Sequence, residues 1–421
     1  MRILRLTSAL ERKLLRARHS RDSQAERIAA RIVADVRKHD DPALFSWTKK
    51  LDRTELTAKT IWVSASELVA AKSLVSREFL EAIQHAARNV RRVAERQLPK
   101  PWSLEVEPGV TISQLVRPLD SVGCYIPAGR FPLVSTMVMT VVPAQVAGVP
   151  RVVVASPNPA PQILAAASVL GVSRVARIGG AQAIAALAYG TRSVPRVEKI
   201  VGPGNRFVTA AKQLVSCDCA IDLPAGPTEA MILASRGNPQ WIAADLLAQA
   251  EHAPDAVAIL VTTSLALARC VQSEVASQLS ALPPENPAHL STRRSGLILV
   301  APSLSAACGF ANRFAPEHLS LADDHEPAVR SLLKRITAAG TIFLGPHAAQ
   351  ALGDYASGSN HVLPTAGWAR ARAGLSAADF VKSISVQSVS GRGVARLAHS
   401  VQTLARAEGL LAHANAVEVR R

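Results

Sequence analysis

Residues 151–190 read RVVVASPNPAPQILAAASVLGVSRVARIGGAQAIAALAYG. The compact apolar run Arg151–Val154 ends in the Pro-rich turn ASPNPAP, and the Ala-rich helical stretch QILAAASVLGV follows it. The pattern then repeats through RVARIGG and AQAIAALAYG. A strand, a Gly- or Pro-containing turn and a helix in alternation predict an α/β domain with a largely parallel sheet, since parallel strands need a crossover between them. Upstream, GCYIPAGR leads into the small-residue helix STMVMTVVPAQVAGV, and downstream the unit closes with KIVGPGNRFVTAAKQLV. Ligands of such sheets bind beyond the carboxyl ends of the strands, which points to the loops IPAGR, IGGAQ and GPGN. None of them is a G-x-G-x-x-G fingerprint, so the pattern supports a Rossmann-like fold without establishing dinucleotide binding.

The alternation resumes after the turn DLPAGPTEA at 222–230. MILAS, AVAILVTT, LILVAPS and TIFLG read as strands, and 238–251, 264–281, AACGFANRF and 326–337 as helices, so a second α/β unit starts near 231. Ahead of these units, residues 1–50 and about 65–96 carry apolar residues at helical spacing, and β-like segments follow around 110–116. The tail from about 374 is too small for its own core and must dock on something, either the chain's own body or a partner subunit.

The chain has 421 residues, 48% apolar and 19% charged, as expected for a globular protein with substantial cores. Its net charge of +16 raises nucleic acid as a partner, but the basic residues are scattered, aromatics are only 4%, and no DNA- or RNA-binding signature is present. No apolar run approaches the roughly 18 residues that span a bilayer. Five cysteines, an odd number in a long chain, suit a reducing cytoplasmic setting, and Cys217-Asp218-Cys219 lacks the second Cys pair of a zinc finger.

The chemistry gathers in the last 175 or so residues, where Gln249 pairs with His252, Glu317 with His318, Asp354 with His361, and Glu408 with His413. In the stretch LLAQAEH, Gln249 and His252 lie three apart at the end of a helix and share one face, whereas Glu251 points elsewhere. Amide oxygen, carboxylate and imidazole are compatible with zinc or manganese, and a His beside a Glu suits proton transfer near neutral pH. Spacing alone supports a metal-assisted or acid/base site without choosing between them.

The strings CYIPAGR with PLVSTMVM, IGGAQAIAALAYGT, VGPGNRFVTAAK, DLPAGPTE, DLLAQAEHAPDA, FAPEHL, GDYASGSNHVLPT and AEGLLAHANAV resemble the histidinol dehydrogenase family, in that family's order, from about Arg31 to the C-terminus. The resemblance implies a zinc-dependent homodimer that oxidises L-histidinol to L-histidine with two NAD. It implies zinc ligands at Gln249, His252, Asp354 and, from the partner chain, His413. His318 would be the general base and Glu317 the group that activates water in the second oxidation. Thr228, His361 and Glu408 would contact substrate beside the zinc ligands and the Glu317-His318 pair, and Tyr125, Gln182 and Asn205 would contact NAD. The implied architecture is α/β: two incomplete Rossmann-like domains, a helical arm at 1–30, and a dimer-intertwining tail at 373–421. The metal and substrate domain would comprise 31–120 and 231–372, and the NAD side 121–230. The sequence departs from the family pattern at Thr228 (commonly Ser), Ala128 (Gly), Gln350 (an acid) and Arg372-Ala373 (small hydroxyl residues). Such changes would also fit a paralogue acting on another polar amino alcohol or diol.

Overall fold

The run Val152–Ala155 forms a strand, as does Glu229–Leu233, which is buried along its whole length because helices cover both faces of its sheet. A computed structural model describes residues 1–18, 22–128, 132–223 and 226–421; Gly129 and Arg130 of the IPAGR loop and Pro224 and Ala225 of DLPAGPTE lie outside the described residues. In chain order the strands are β1 (Arg2–Arg5), β2 (Trp102–Glu107), β3 (Val110–Pro118), β4 (Val122–Tyr125), β5 (Val152–Ala155), β6 (Val175–Ala176) and β7 (Lys199–Val201). They continue with β8 (Ala220–Ile221), β9 (Glu229–Leu233), β10 (Val257–Thr262), β11 (Leu297–Val300), β12 (His318–Leu321), β13 (Thr341–Leu344) and β14 (Val381–Val389).

The second α/β unit is a six-stranded parallel sheet in the order β1-β11-β10-β9-β12-β13. Successive side chains of a strand point to opposite faces, and the cores divide accordingly. Met231 and Leu233 pack with Phe310, Phe314 and Leu332 on one side, whereas Ile232 packs with Ile242, Leu246 and Val271 on the other. The first unit is a five-stranded parallel sheet in the order β6-β5-β4-β7-β8. A separate antiparallel sheet, β14-β3-β2, ties the tail to the body through nine register pairs between Val381–Val389 and Val110–Pro118.

Two expectations change. Residues 1–30 are not wholly helical: Arg2–Arg5 is the edge strand β1, paired with Leu297–Val300, and the helix Ser8–Ala17 then lays Leu10, Leu14 and Leu15 on the six-stranded sheet's core. A four-residue strand in an apolar-basic stretch is too short for periodicity to tell it from a helix. The helices of the segment 31–120, grouped above with 231–372, pack instead on the five-stranded sheet, while its strands β2 and β3 belong to the antiparallel sheet. The helix Ser23–Asp52 lies with Gly180–Tyr189 and Arg206–Val215 on one face, and Arg77–Gln97 joins Val134–Val146 on the other. The apolar stripes of these helices were legible, but a stripe does not name the surface it covers.

Candidate active site

The helix Pro239–Ala250 follows β9 and carries the chain back to the amino edge of the six-stranded sheet before β10 begins. Its C-terminal end therefore arrives beside the residues that precede β9. Gln249, 2% exposed, donates from Nε2 to Thr228 Oγ1 at 2.7 Å. The Thr228 hydroxyl donates in turn to Glu317 Oε2 at 2.6 Å, and the Glu229 backbone N–H donates to the same oxygen at 2.9 Å. An amide, a hydroxyl and a carboxylate from three separate stretches thus form one hydrogen-bonded run.

Glu317 and His318 lie at the start of β12, next to β9, with His318 paired to Ala230. His318 Nε2 is 3.3 Å from Asp354 Oδ1, and its Nδ1 is 3.4 Å from the Glu229 carbonyl and 3.7 Å from Glu317 Oε2. Phe343 stacks on the ring at 6.0 Å between centroids. Asp354 comes from the short helix Gln350–Tyr355, and its backbone carbonyl accepts from His361 Nδ1 at 2.8 Å. His361 Nε2 lies 3.3 Å from Thr136 Oγ1, on a helix of the five-stranded unit, so the cluster is built from both units.

Charge follows this packing. Burial works against the His318 imidazolium, but Glu317 and Asp354 outweigh it and raise His318 to about 9. Burial also disfavours the Asp354 carboxylate, yet His318, His361 and His252 overcome it and hold Asp354 below the usual carboxylate range. Burial pushes Glu317 up and His361 down.

The donor set suits a divalent cation. His252 Nδ1 lies 2.9 Å from the Ala248 carbonyl, an acceptor only, so that nitrogen carries the proton and Nε2 keeps its lone pair. With Gln249 Nε2 committed to Thr228, its carbonyl oxygen is the end left for a metal. Both residues stand at a helix C-terminus, where the helix dipole favours positive charge. Among the described residues no group of three or more His, Cys, Asp and Glu side chains is placed to hold a metal ion. Glu408 and His413 are not at this site in their own chain; they sit exposed on the tail, at the end of the helix Gly391–Ala407 and in the helix Leu411–Glu418.

Tyr125, Gln182 and Asn205 lie at the carboxyl edge of the five-stranded sheet. Tyr125 ends β4, and its hydroxyl accepts from Gly180 N–H at 3.1 Å. Gln182, fully buried, donates to Asp52 Oδ2 at 3.0 Å, and its Oε1 has no partner among the described residues. Asn205 caps the helix Arg206–Val215 by accepting from Phe207 and Val208 N–H. An orphaned buried amide oxygen beside helix N-termini at such an edge suits a nucleotide cofactor.

Of the departures from the family pattern, Gln350 donates to Ser320 Oγ at 3.1 Å and Arg372 donates to the Asp222 carbonyl, so neither side chain is bonded into the cluster. Ala128 forms a bridge with Pro132. Glu229 and Arg18 escaped sequence reading. Their buried ion pair adjoins the cluster through the Glu229 backbone N–H on Glu317, and Glu229 rises to about 7 through burial despite Arg18. Glu229 stood inside the quoted DLPAGPTE motif, but nothing marked Arg18 among so many arginines.

The family model described as histidinol dehydrogenase matches residues 15–421. A histidinol dehydrogenase of Xylella fastidiosa is 46% identical over 424 aligned residues, covering 98% of this chain and 96% of that protein. One from Photobacterium profundum is 45% identical over 93% of this chain and 88% of its own. The crystal structure of histidinol dehydrogenase from Elizabethkingia anophelis superposes with a TM-score of 0.93 at 37% identity, covering 100% of this chain and 98% of that one. A shared fold over the whole length and this level of identity establish that the chain belongs to the histidinol dehydrogenase family.

Proposed function

We propose that the chain catalyses the NAD-dependent oxidation of L-histidinol to L-histidine through histidinaldehyde, the last step of histidine biosynthesis. The observation that carries this reading is the continuous run Gln249–Thr228–Glu317 set against His318–Asp354–His361. It joins a metal-ligating end, a base and a water-activating acid in one buried cluster. Gln249, His252 and Asp354 would hold zinc, with His413 of a second copy as the fourth ligand; zinc, when bound, supplies a fixed positive charge that orients the substrate's imidazole and amino nitrogens. Tyr125, Gln182 and Asn205 would hold NAD, which accepts the hydrides.

The chain's own residues account for the protons. His318 Nδ1 faces two acceptors and keeps its proton, while Nε2 lies 3.3 Å from Asp354 Oδ1; with Asp354 drawn to the metal, Nε2 would be the nitrogen that takes the proton of the substrate's alcohol. The described hydrogen bonds to Glu317 both land on Oε2, leaving Oε1 to draw a proton from the water that adds to the aldehyde. The hydrate then gives up its second hydride, so each turnover consumes one water and two NAD. Thr228 keeps the hydroxyl of the commoner serine and fixes Glu317 and Gln249 together. His361 and the partner's Glu408 would contact the substrate.

The exposed tail supports a homodimer. Leu404, Leu411 and Val419 are each more than 60% exposed on helices that also carry Glu408 and His413, and a second copy would cover them. The two parallel sheets are read as incomplete Rossmann-like domains, with 31–120 assigned to the NAD side and 2–17 to the metal side. All five cysteines are free thiols, which supports a cytoplasmic location, and no helix of the described residues is long and apolar enough to cross a membrane. Incubation with L-histidinol, NAD and zinc should yield NADH and histidine in a two-to-one ratio; strong turnover of a different amino alcohol with none of histidinol would refute the assignment.

A further inference from the structure

The ion pair between Lys212 and Asp222 is almost wholly buried, with side chains 4% and 1% exposed, and the mechanism above does not use it. Its bonds all go to the loops at the carboxyl edge of the five-stranded sheet. Lys212 Nζ donates to the Gly202 carbonyl at 2.9 Å, and Asp222 Oδ2 accepts from the Gly202 N–H at 2.7 Å. Asp222 Oδ1 accepts from Leu223 N–H at 2.6 Å as well as from Lys212. Gly202 is therefore held at both its N–H and its C=O. It sits at φ +113°, and a Cβ there would fall 2.2 Å from the Tyr125 carbonyl oxygen, so the held residue is pressed directly on the residue that ends β4.

We infer that Lys212 and Asp222 are positioning residues for the cofactor, clamping the GPGN loop so that Asn205 and Tyr125 keep a fixed relation; the inference rests on the NAD-site reading above. A buried ion pair is a poor source of stability, because desolvating two charges roughly cancels their attraction, and an apolar pair of similar volume often does as well. Two charges bonded to the backbone of two cofactor-edge loops instead fix where that backbone lies. Both grips act on the chain three residues before the cap of the helix Arg206–Val215, whose N-terminus faces the same edge. Release of Gly202 lets Asn205 and the capped N–H groups shift together, and displacements on the order of 1 Å in such groups carry costs of up to about 100-fold.

The test is the double variant Lys212→Met with Asp222→Asn, which removes both charges together and avoids stranding either one. Direct NADH binding by fluorescence, the KM for NAD, the KM for L-histidinol, zinc content and Tm are measured on the full-length enzyme. NADH affinity should fall and the KM for NAD rise by about 10-fold or more, while zinc content and the KM for histidinol stay at wild-type values and Tm changes little. Unchanged NADH affinity in the folded variant overturns the inference. So does a loss spread equally over NADH, histidinol and zinc, because that is the mark of general destabilisation. Asp222→Asn alone keeps Lys212 on Gly202 but strands its charge, so Tm should fall; in the protein that remains folded an intermediate rise in the KM for NAD is expected, and wild-type affinity again overturns the inference. Asn205→Ala separates the two layers of argument. If it weakens NADH binding and the pair's variants do not, the clamp alone fails; if neither does, the cofactor-site reading fails.

Discussion

Replacing Thr228 by Val removes one oxygen while nearly keeping the side chain's volume, and that oxygen is the shared atom of the buried run. It accepts from Gln249 Nε2 at 2.7 Å and donates to Glu317 Oε2 at 2.6 Å. Without it Gln249 loses that acceptor at a buried position, and Glu317 is left with the Glu229 N–H as its described donor. A buried hydrogen bond to a charged group contributes roughly 1.5–3 kcal/mol, and a stranded buried donor costs about 1–3 kcal/mol. The two share an atom and do not add, so a total near 2–4 kcal/mol is expected. Part of it appears as freer rotation of Gln249, which should lower zinc affinity about 10- to 100-fold, the usual effect of losing a group that orients a ligand. The rest falls on Glu317, which burial already pushes up and which, without the Thr228 hydrogen bond that pulls it down, stays protonated to higher pH and is less available as the base of the second oxidation. The assays are zinc affinity by chelator competition and the rates of the two half-reactions, started from histidinol and from histidinaldehyde. Thr228→Ser restores the hydroxyl and should behave as wild type. A Thr228→Val enzyme that holds zinc normally and oxidises the aldehyde at the wild-type rate would refute the role given to this network.

Further predictions address the partner chain, the helix end and a buried acid. Mixing inactive Asp354→Ala chains with inactive His413→Ala chains should recover about one quarter of wild-type activity after random subunit exchange, since half the dimers are hybrids with one complete site; no recovery after proven exchange would place His413 in its own chain's site. Glu251 ends the helix Pro239–Ala250, and its Oε2 accepts from Asn286 Nδ2 at 3.2 Å. Glu251→Gln should therefore cost about 0.5 kcal/mol and leave zinc content unchanged, so zinc loss at normal Tm would contradict its bracing role. Burial pushes Asp245 up to about 6, although the Gln350 backbone N–H pulls the other way. The folded chain thus holds this proton to higher pH than the unfolded chain, and the associated stability is present at low pH and lost between about pH 4 and 6. Asp245→Asn should raise stability at pH 7 by at most about 3 kcal/mol and have little effect at pH 4, as read by denaturant melts at both pH values.

The helix carrying Gln249 was legible almost to the residue, 238–251 against the observed Pro239–Ala250, because apolar spacing and the flanking Asn-Pro and His positions agree. The short strands were legible for the opposite reason: runs such as MILAS and TIFLG are too apolar and too brief for a surface helix. What sequence could not supply was which edge of a sheet each group faces. Glu317 and His318 lie at the amino edge of the six-stranded sheet, against the carboxyl-edge rule that holds for Tyr125, Gln182 and Asn205, because the helix C-terminus bearing Gln249 and His252 returns there. The Thr136–His361 contact joins residues 225 positions apart and has no local signal at all. Nor does the placement of 31–120, since amphipathic stripes on Ser23–Asp52 and Arg77–Gln97 fit either sheet. Glu408 and His413 stood out as a pair but belong to a segment whose own chain gives them no site.

The strand Arg2–Arg5 has a consequence for how the protein is made. Its partner Leu297–Val300 is synthesised about 300 residues after it, so β1 can join the six-stranded sheet only once most of the chain has been made. Until then β1 has no strand to pair with, and its edge is open to any other nascent strand. A bulky N-terminal fusion placed directly before Arg2 would delay that closure, and its penalty would appear in the yield of soluble protein rather than in the turnover of the molecules that fold.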